Sequence, residues 1–206
     1  MNKLYIFAIL TLLPFLPVSA QTQKEAVKLL DRAADKFRAS SGIKAGYTFS
    51  VNGEQGKGTM KLKGRKFVNN LGDHVIWFNG KTMWTLVRSN EEVNVTEPTA
   101  DEVARMNPYS FVQLYKKGYT ARFTKKSTQK VAEIELKATD AKAALKTIVM
   151  RINRTSLQPL SFQLTEAGGQ QTGITITSYQ EAQKFADATF QFNPRNYPNV
   201  EVVDLR

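Results

Sequence analysis

The residues that could carry chemistry in this sequence are few. His74 is the only histidine, so any imidazole base, imidazole proton relay or imidazole metal ligand would have to be that one residue. Cysteine is absent, which removes thiolate nucleophiles, thiolate metal ligands and disulfides together. A serine nucleophile would need His74 beside it, and no G-x-S-x-G elbow is present to present such a serine. The carboxylates Glu91-Glu92, Asp101-Glu102 and Asp140 are too scattered to mark a metal site, and although two strands could bring acids together as a glycosidase-like pair, nothing distinguishes such a pair from ordinary surface charge. Gly53-Glu54-Gln55-Gly56-Lys57-Gly58 has the glycine content of a phosphate loop, but apolar alternation on both sides makes it a hairpin with no helix N-terminus to hold an anion. We therefore expect no catalytic residue, no metal and no cofactor, and place His74 at the exposed start of a strand.

What remains is a chain patterned to bury apolar surface. From Gln21 to Ser41, Val27, Leu30, Ala34 and Phe37 recur at three- and four-residue steps, predicting a helix that ends at Ser40-Ser41-Gly42. The period then becomes two. Tyr47, Phe49 and Val51, then Met60 and Leu62, then Val93 and Val95 alternate with polar residues as half-buried strands do, with turns at Asn52-Gly53, Leu71-Gly72-Asp73 and Asn79-Gly80. His74 to Phe78 and Thr82 to Val87 are apolar on both faces, so this hairpin should be covered on both sides. Thr99 with Glu102 forms a capping-box pattern ahead of Val103 and Met106, Asn107-Pro108 breaks the helix, and Tyr109 to Lys116 reads as a second short one. Further strands are expected at Tyr119 to Thr124, Val131 to Ala138, Leu145 to Asn153, Leu160 to Glu166, Gly173 to Tyr179 and Thr189 to Phe192. The sum is an α+β chain, mainly antiparallel β, of about ten or eleven strands whose sheet must curl or close to protect its edges.

The N-terminus reads as an export signal. Asn2 and Lys3 precede an apolar stretch from Leu4 to Leu16, and Val18-Ser19-Ala20 suits signal peptidase. Residues 1–20 are thus the expected cleaved signal and 21–206 a single domain, working outside the cytoplasm. Lacking cysteine, the mature chain has no acceptor for a lipid anchor. The net charge of +11, which becomes +10 once Lys3 leaves with the signal, favours anionic lipid surfaces or acidic proteins as partners. The basic residues are dispersed rather than massed in a stripe, which argues against nucleic acid.

Four segments in order resemble one family: Tyr47-Thr48-Phe49; Gly56-Lys57-Gly58-Thr59-Met60-Lys61-Leu62-Lys63; the hairpin Phe78-Asn79-Gly80-Lys81-Thr82-Met83-Trp84; and Phe190-Gln191-Phe192-Asn193-Pro194 followed by Val200, Val202, Val203 and Asp204. The chain is similar to LolA, the periplasmic carrier of outer-membrane lipoproteins, along essentially its whole mature length. That resemblance implies an unclosed, half β-barrel of about eleven strands with a helical lid over an apolar cavity that binds lipoprotein acyl chains. It implies a soluble monomer in transient membrane contact, receiving acylated lipoproteins from an inner-membrane LolCDE-like transporter and delivering them to an outer-membrane LolB-like acceptor. An envelope-stress sensor or adaptor of the same fold, and a carrier of non-protein lipid, are the alternatives. Relatives of the sensor kind carry a further C-terminal domain, and an end at Val203-Asp204-Leu205-Arg206 favours the carrier.

Within that frame the expected acyl-chain-binding residues are Phe49, Val51, Met60, Leu62, Phe67, Ile76, Trp84 and Leu86 on the inner sheet face. The lid would add Leu30, Phe37, Met106, Phe111 and Leu114. Ordinary core is the alternative for each. Met60, Met83 and Met106 suit adaptable contacts because thioether side chains are flexible and polarizable. Family members latch the lid with an arginine just after the second strand. Here Lys63-Gly64-Arg65-Lys66-Phe67 has no proline, and Arg65 is either the latch or a solvated charge.

Overall fold

The helical period produces α1 (Val18–Ala39), ending in Lys36 and Arg38, whose charges complement the carbonyl end of the helix. The period-two segments produce β1 (Ile43–Val51), β2 (Glu54–Lys63), β3 (Lys66–Asn70), β4 (His74–Phe78), β5 (Met83–Val87), β6 (Glu92–Thr96), β7 (Tyr119–Phe123), β8 (Val131–Ala138), β9 (Leu145–Asn153), β10 (Pro159–Glu166), β11 (Gln171–Gln180) and β12 (Glu201–Asp204). This computed structural model describes residues 18–99, 102–103, 106–107, 114–116 and 118–206. Among them, twelve strands form one sheet in the order β12-β6-β5-β4-β3-β2-β1-β11-β10-β9-β8-β7. Every pairing is antiparallel except β12 on β6, and β12 and β7 are left as separate edges, so the half-barrel is unclosed as expected.

The inner face of the β7–β10 half is sealed by α1. Ala26, Leu29, Leu30, Ala33 and Ala34 pack on Ala121, Ala132, Ile134, Leu136, Ile148, Met150, Ile152 and Phe162 in one continuous core. The small alanines on both surfaces let helix and sheet approach closely, and the buried stripe centres on Leu30 rather than on the half-buried Val27. Lys36 fixes the helix end, donating to the Ser156 carbonyl at 2.8 Å and pairing with Glu181 at 3.1 Å. Asp31 accepts a hydrogen bond from the Tyr115 hydroxyl and pairs with Lys116 at 2.9 Å, tying the central insertion to α1.

In the β1–β6 half the inner face carries Ile43, Tyr47, Met60, Leu62, Phe67, Ile76, Phe78 and Met83, packed with Phe37, Val103 and Met106 from the helical side. The capping box forms as expected. Thr99 donates from its backbone N–H and its hydroxyl to Glu102 Oε2, each at 2.8 Å, and Glu102 N–H reaches Thr99 Oγ1 at 3.4 Å.

Two expectations do not hold. Thr189 to Phe192 is not a strand: Asp187–Phe190 is a 3-10 turn, followed by a second at Pro194–Asn196. Phe190 and Phe192 are both buried, so the alternating F-x-F pattern reports burial correctly and backbone shape wrongly. Trp84 and Leu86 lie on the outer face. Trp84 pairs with Trp77, and Leu86 with Val75 and Val93, all on the side opposite Phe67, Phe78 and Met83. The hairpin is apolar on both faces, so its pattern could not fix which parity points inward. Its cover is the segment after β11, which lays Phe192, Tyr197 and Val200 over Val75, Trp77, Leu86 and Val93. Trp77 makes edge contacts with Phe192 and Tyr197 at centroid distances of 5.6 and 5.8 Å.

Candidate functional site

The strand register fixes which inward side chains are neighbours. One row runs Ile43, Leu62, Phe67, Phe78, Met83 and Thr96 across β1 to β6; the next runs Ala45, Met60, Asn69, Ile76 and Thr85. Beyond these, Tyr47 of β1 faces Gly58 of β2, and Phe49 faces Gly56. Both glycines are required by the rings opposite them. A Cβ on Gly58 would stand 2.5 Å from Tyr47 Cζ, and one on Gly56 would stand 2.3 Å from Phe49 Cζ. The two aromatic rings therefore lie across β2 in space that any other residue would fill.

Because Gly58 lets the ring through, the Tyr47 hydroxyl reaches β3 and donates a hydrogen bond to Asn69 Oδ1. Tyr47 and Asn69 are each only 6% exposed. Burial pushes the Tyr47 phenol up to about 12, against a smaller opposing effect of the Asn69 hydrogen bond, so it remains a neutral donor at physiological pH. The Asn69 amide group, Nδ2, has no hydrogen-bond partner among the described residues. A buried donor left without a partner costs roughly 1–3 kcal/mol. It sits between Met60 and Ile76 on an otherwise apolar surface.

Among the described residues, an opening onto this face lies beside β5 and the end of β6. A cavity of about 470 Å³ is lined by Met83, Thr85, Thr96, Glu97, Pro98, Glu102, Met106, Leu205 and Arg206. Its volume falls in the range of small-molecule sites, roughly 300–1,000 Å³. Met83 and Met106 supply its adaptable apolar surface. Under the end of α1, by contrast, Ala33, Phe37, Ile152, Leu157, Pro159 and Tyr179 leave a space of only about 10 Å³, about enough for one water.

The residues expected to bind acyl chains divide accordingly. Phe37, Phe49, Met60, Leu62, Phe67, Ile76 and Met106 converge on the inner face of the β1–β5 half. Leu30 and Leu114 belong to the sealed cluster under α1. Val51 is half-buried at the end of β1, outside the clusters. Phe111 lies outside the described residues. Arg65 stands exposed in the β2–β3 turn, with no hydrogen bond or ion pair to any described residue. The lysines around it tie down the outer segment: Lys63 donates to the Phe185 carbonyl at 3.0 Å, and Lys63 and Lys66 pair with Asp187 at 3.0 and 3.1 Å. Sequence reasoning missed Tyr47 and Asn69 as a pair. The signal available was Gly56 and Gly58 at inward parity on β2, which leaves room for rings from β1.

His74 is the exposed first residue of β4. Among the described residues no group of three or more histidine, aspartate or glutamate side chains is placed to hold a metal ion. No described helix is long and apolar enough to cross a membrane.

A family model described as outer membrane lipoprotein carrier protein LolA matches residues 16–169. No curated protein matches the sequence. Among solved structures, an uncharacterized conserved protein from Thermus thermophilus shares the fold, with a TM-score of 0.60 at 11% identity, covering 87% of this chain and 99% of that one. A LolA superfamily protein from Nitrosomonas europaea aligns with a TM-score of 0.43 at 10% identity over 81% of this chain and 97% of that one. In the MucA/MucB complex of Pseudomonas aeruginosa, the matched chain aligns at 0.45 and 14% identity, over 87% of this chain and 63% of that one.

Proposed function

The chain belongs to the family of the outer membrane lipoprotein carrier protein LolA, and from that premise we propose that it is a soluble periplasmic chaperone that shelters the acyl chains of lipoproteins on the inner face of its half-barrel. In this reading residues 1–20 direct export and the mature chain shuttles between membranes. It takes cargo from an inner-membrane transporter of the LolCDE kind and passes it to an outer-membrane acceptor of the LolB kind. The basic surface favours transient contact with anionic lipid head groups at either end of the route.

The observation that carries this reading is the uneven cover of the concave face. One half is packed shut under α1, while the other, its apolar row also buried, has a cavity of about 470 Å³ at its margin beside Met83 and Met106. Each methylene moved out of water is worth about 0.8 kcal/mol, so a sixteen-carbon chain carries roughly 12 kcal/mol of transfer free energy and does not cross an aqueous compartment unaided. Release requires that part of this affinity be offset. Closure of Val103 and Met106 over the inner face in the empty state supplies that offset, because cargo must displace contacts the protein makes with itself.

The test is to purify the mature protein from its native compartment, extract it, and identify bound material by mass spectrometry. Acylated protein is the expected cargo. Recovery of non-protein lipid alone would overturn the lipoprotein assignment and leave a lipid carrier. A chain that arrives empty and takes up no fluorescent acyl probe would overturn both.

A further inference from the structure

We propose that Asn69, positioned by Tyr47, is a polar anchor that receives the carbonyl oxygen of an acyl ester or amide within the apolar concave face. The inference rests on the acyl-carrier reading and specifies its ligand chemistry: a linked acyl group rather than an alkyl chain alone.

Three observations meet at this position. Asn69 is 6% exposed and points inward in a row otherwise made of Ala45, Met60, Ile76 and Thr85. Its Oδ1 is occupied by the Tyr47 hydroxyl, which fixes the amide so that Nδ2 is the free end, and Nδ2 has no partner among the described residues. Serving the Tyr47 hydroxyl needs only the Oδ1 acceptor, so the amide nitrogen is left as a surplus donor on an otherwise apolar face. The third observation is access. Thr85 lines the opening beside β5 and β6, and Asn69 lies two strands further in, about 10 Å at ordinary strand spacing, past Ile76. A chain entering beside Met83 and Met106 and displacing the cover over Ile76 reaches Asn69 with its carbonyl, an acceptor only, matching the unmet Nδ2 donor. Gly58 is part of the device. A side chain there would expel the Tyr47 ring and leave Asn69 unoriented.

The experiment compares two neutral ligands that differ in one carbonyl: 1-myristoylglycerol, an ester, and 1-O-tetradecylglycerol, its ether. Each is titrated against the full mature chain carrying a fluorescent apolar probe, N-phenyl-1-naphthylamine, and the displacement constants are compared. Wild type should prefer the ester by roughly five- to tenfold, and Asn69→Leu should bind the ether as well as wild type does while losing the preference. Equal binding of ester and ether by wild type, or a preference that survives in Asn69→Leu, overturns the anchor and leaves the carrier reading standing. Failure of both ligands to displace the probe from wild type overturns the carrier reading and the anchor with it. Should Asn69→Leu not fold, the wild-type protein still decides the matter by NMR. The Asn69 side-chain amide protons move downfield with the ester and not with the ether, and identical shifts with both overturn the proposal.

Discussion

In the β7–β10 half of the sheet the apolar side chains point one way and a single helix covers them, whereas from β3 to β6 they occupy both faces and each face is covered by a different piece of chain. The outward side of the first half is polar: Arg122 pairs with Glu135 at 2.6 Å across β7 and β8. The outward side of the second carries Trp77, Trp84 and Leu86 under Phe192, Tyr197 and Val200. The difference teaches where movement is affordable. A face sealed by one long helix, pinned at Asp31 and Lys36, has no lower-cost way to open than losing that whole contact. The β3–β6 part is already held together from outside, so the pieces of its inner cover that come from the central insertion, Val103 and Met106, are free to shift without the sheet losing both of its supports, while Phe37 stays with α1.

The comparison breaks most directly at two phenylalanines on the same concave surface. Phe162, 1% exposed in β10, should cost about 3–5 kcal/mol of stability on truncation to alanine. Phe49, only partly buried over Gly56, should cost less, about 1–2 kcal/mol, because part of its surface is already exposed to solvent. In acyl-probe binding the order should reverse. Phe49→Ala weakens the probe several-fold and Phe162→Ala leaves its affinity within about twofold while the protein stays folded. Urea unfolding and probe titration on both variants measure this, and equal stability losses would mean that the two halves are not sealed differently.

Next in size is the outer cover. Phe192→Ala should cost roughly 3 kcal/mol, lowered further if Tyr197 fills the space left. Trp77 then loses an edge contact and meets water, so tryptophan emission should shift to the red, while probe affinity stays near wild type because the inner face is untouched. Loss of probe binding in step with the red shift would show that the two faces are coupled and that the segment after β11 takes part in opening.

Much of this arrangement is legible in residue order, and the misses have a common cause. The alternation bounds β8 and β9 correctly at Val131–Ala138 and Leu145–Asn153 because each has one polar face, which makes the pattern unambiguous. It puts Trp84 and Leu86 on the wrong face because their hairpin is apolar on both. The information that decides the parity lies more than a hundred residues later, in Phe192 and Tyr197. Those residues belong to a segment with buried aromatics but no sheet pairing of its own until β12, where Glu201–Asp204 runs parallel to β6 and adds the twelfth strand. A tertiary contact of that separation leaves no trace in local periodicity. The Tyr47–Asn69 pair is hidden for the same reason: β1 and β3 are not adjacent, and only the two inward glycines of β2 betray that something crosses between them.

The smallest effect concerns how the outer segment is held before it reaches Trp77. Asp187 accepts from Lys63 and pairs with Lys66, flanking the turn that carries Arg65; Asp187 is well exposed to solvent and the two lysines partly so. The hydrogen bond from Lys63, then that from Lys66 and the charge of both, hold the Asp187 carboxyl below its ordinary value of 3.8. A carboxyl with a lower pKa folded than unfolded stabilises the fold fully above the unfolded value, and this contribution fades as pH falls from about 4 through the folded value. Asp187→Asn should therefore lower the urea midpoint slightly at pH 6, and the two proteins should converge as pH falls to about 3. Other carboxylates, Asp31 and Asp204 among them, titrate in both proteins, so the difference between the curves isolates Asp187. Added salt at pH 6 should narrow the gap in the same direction, because pairs this exposed are screened. Parallel curves across that pH range would mean that the lysines do not hold the segment, and that Phe190 and Phe192 anchor it by burial alone.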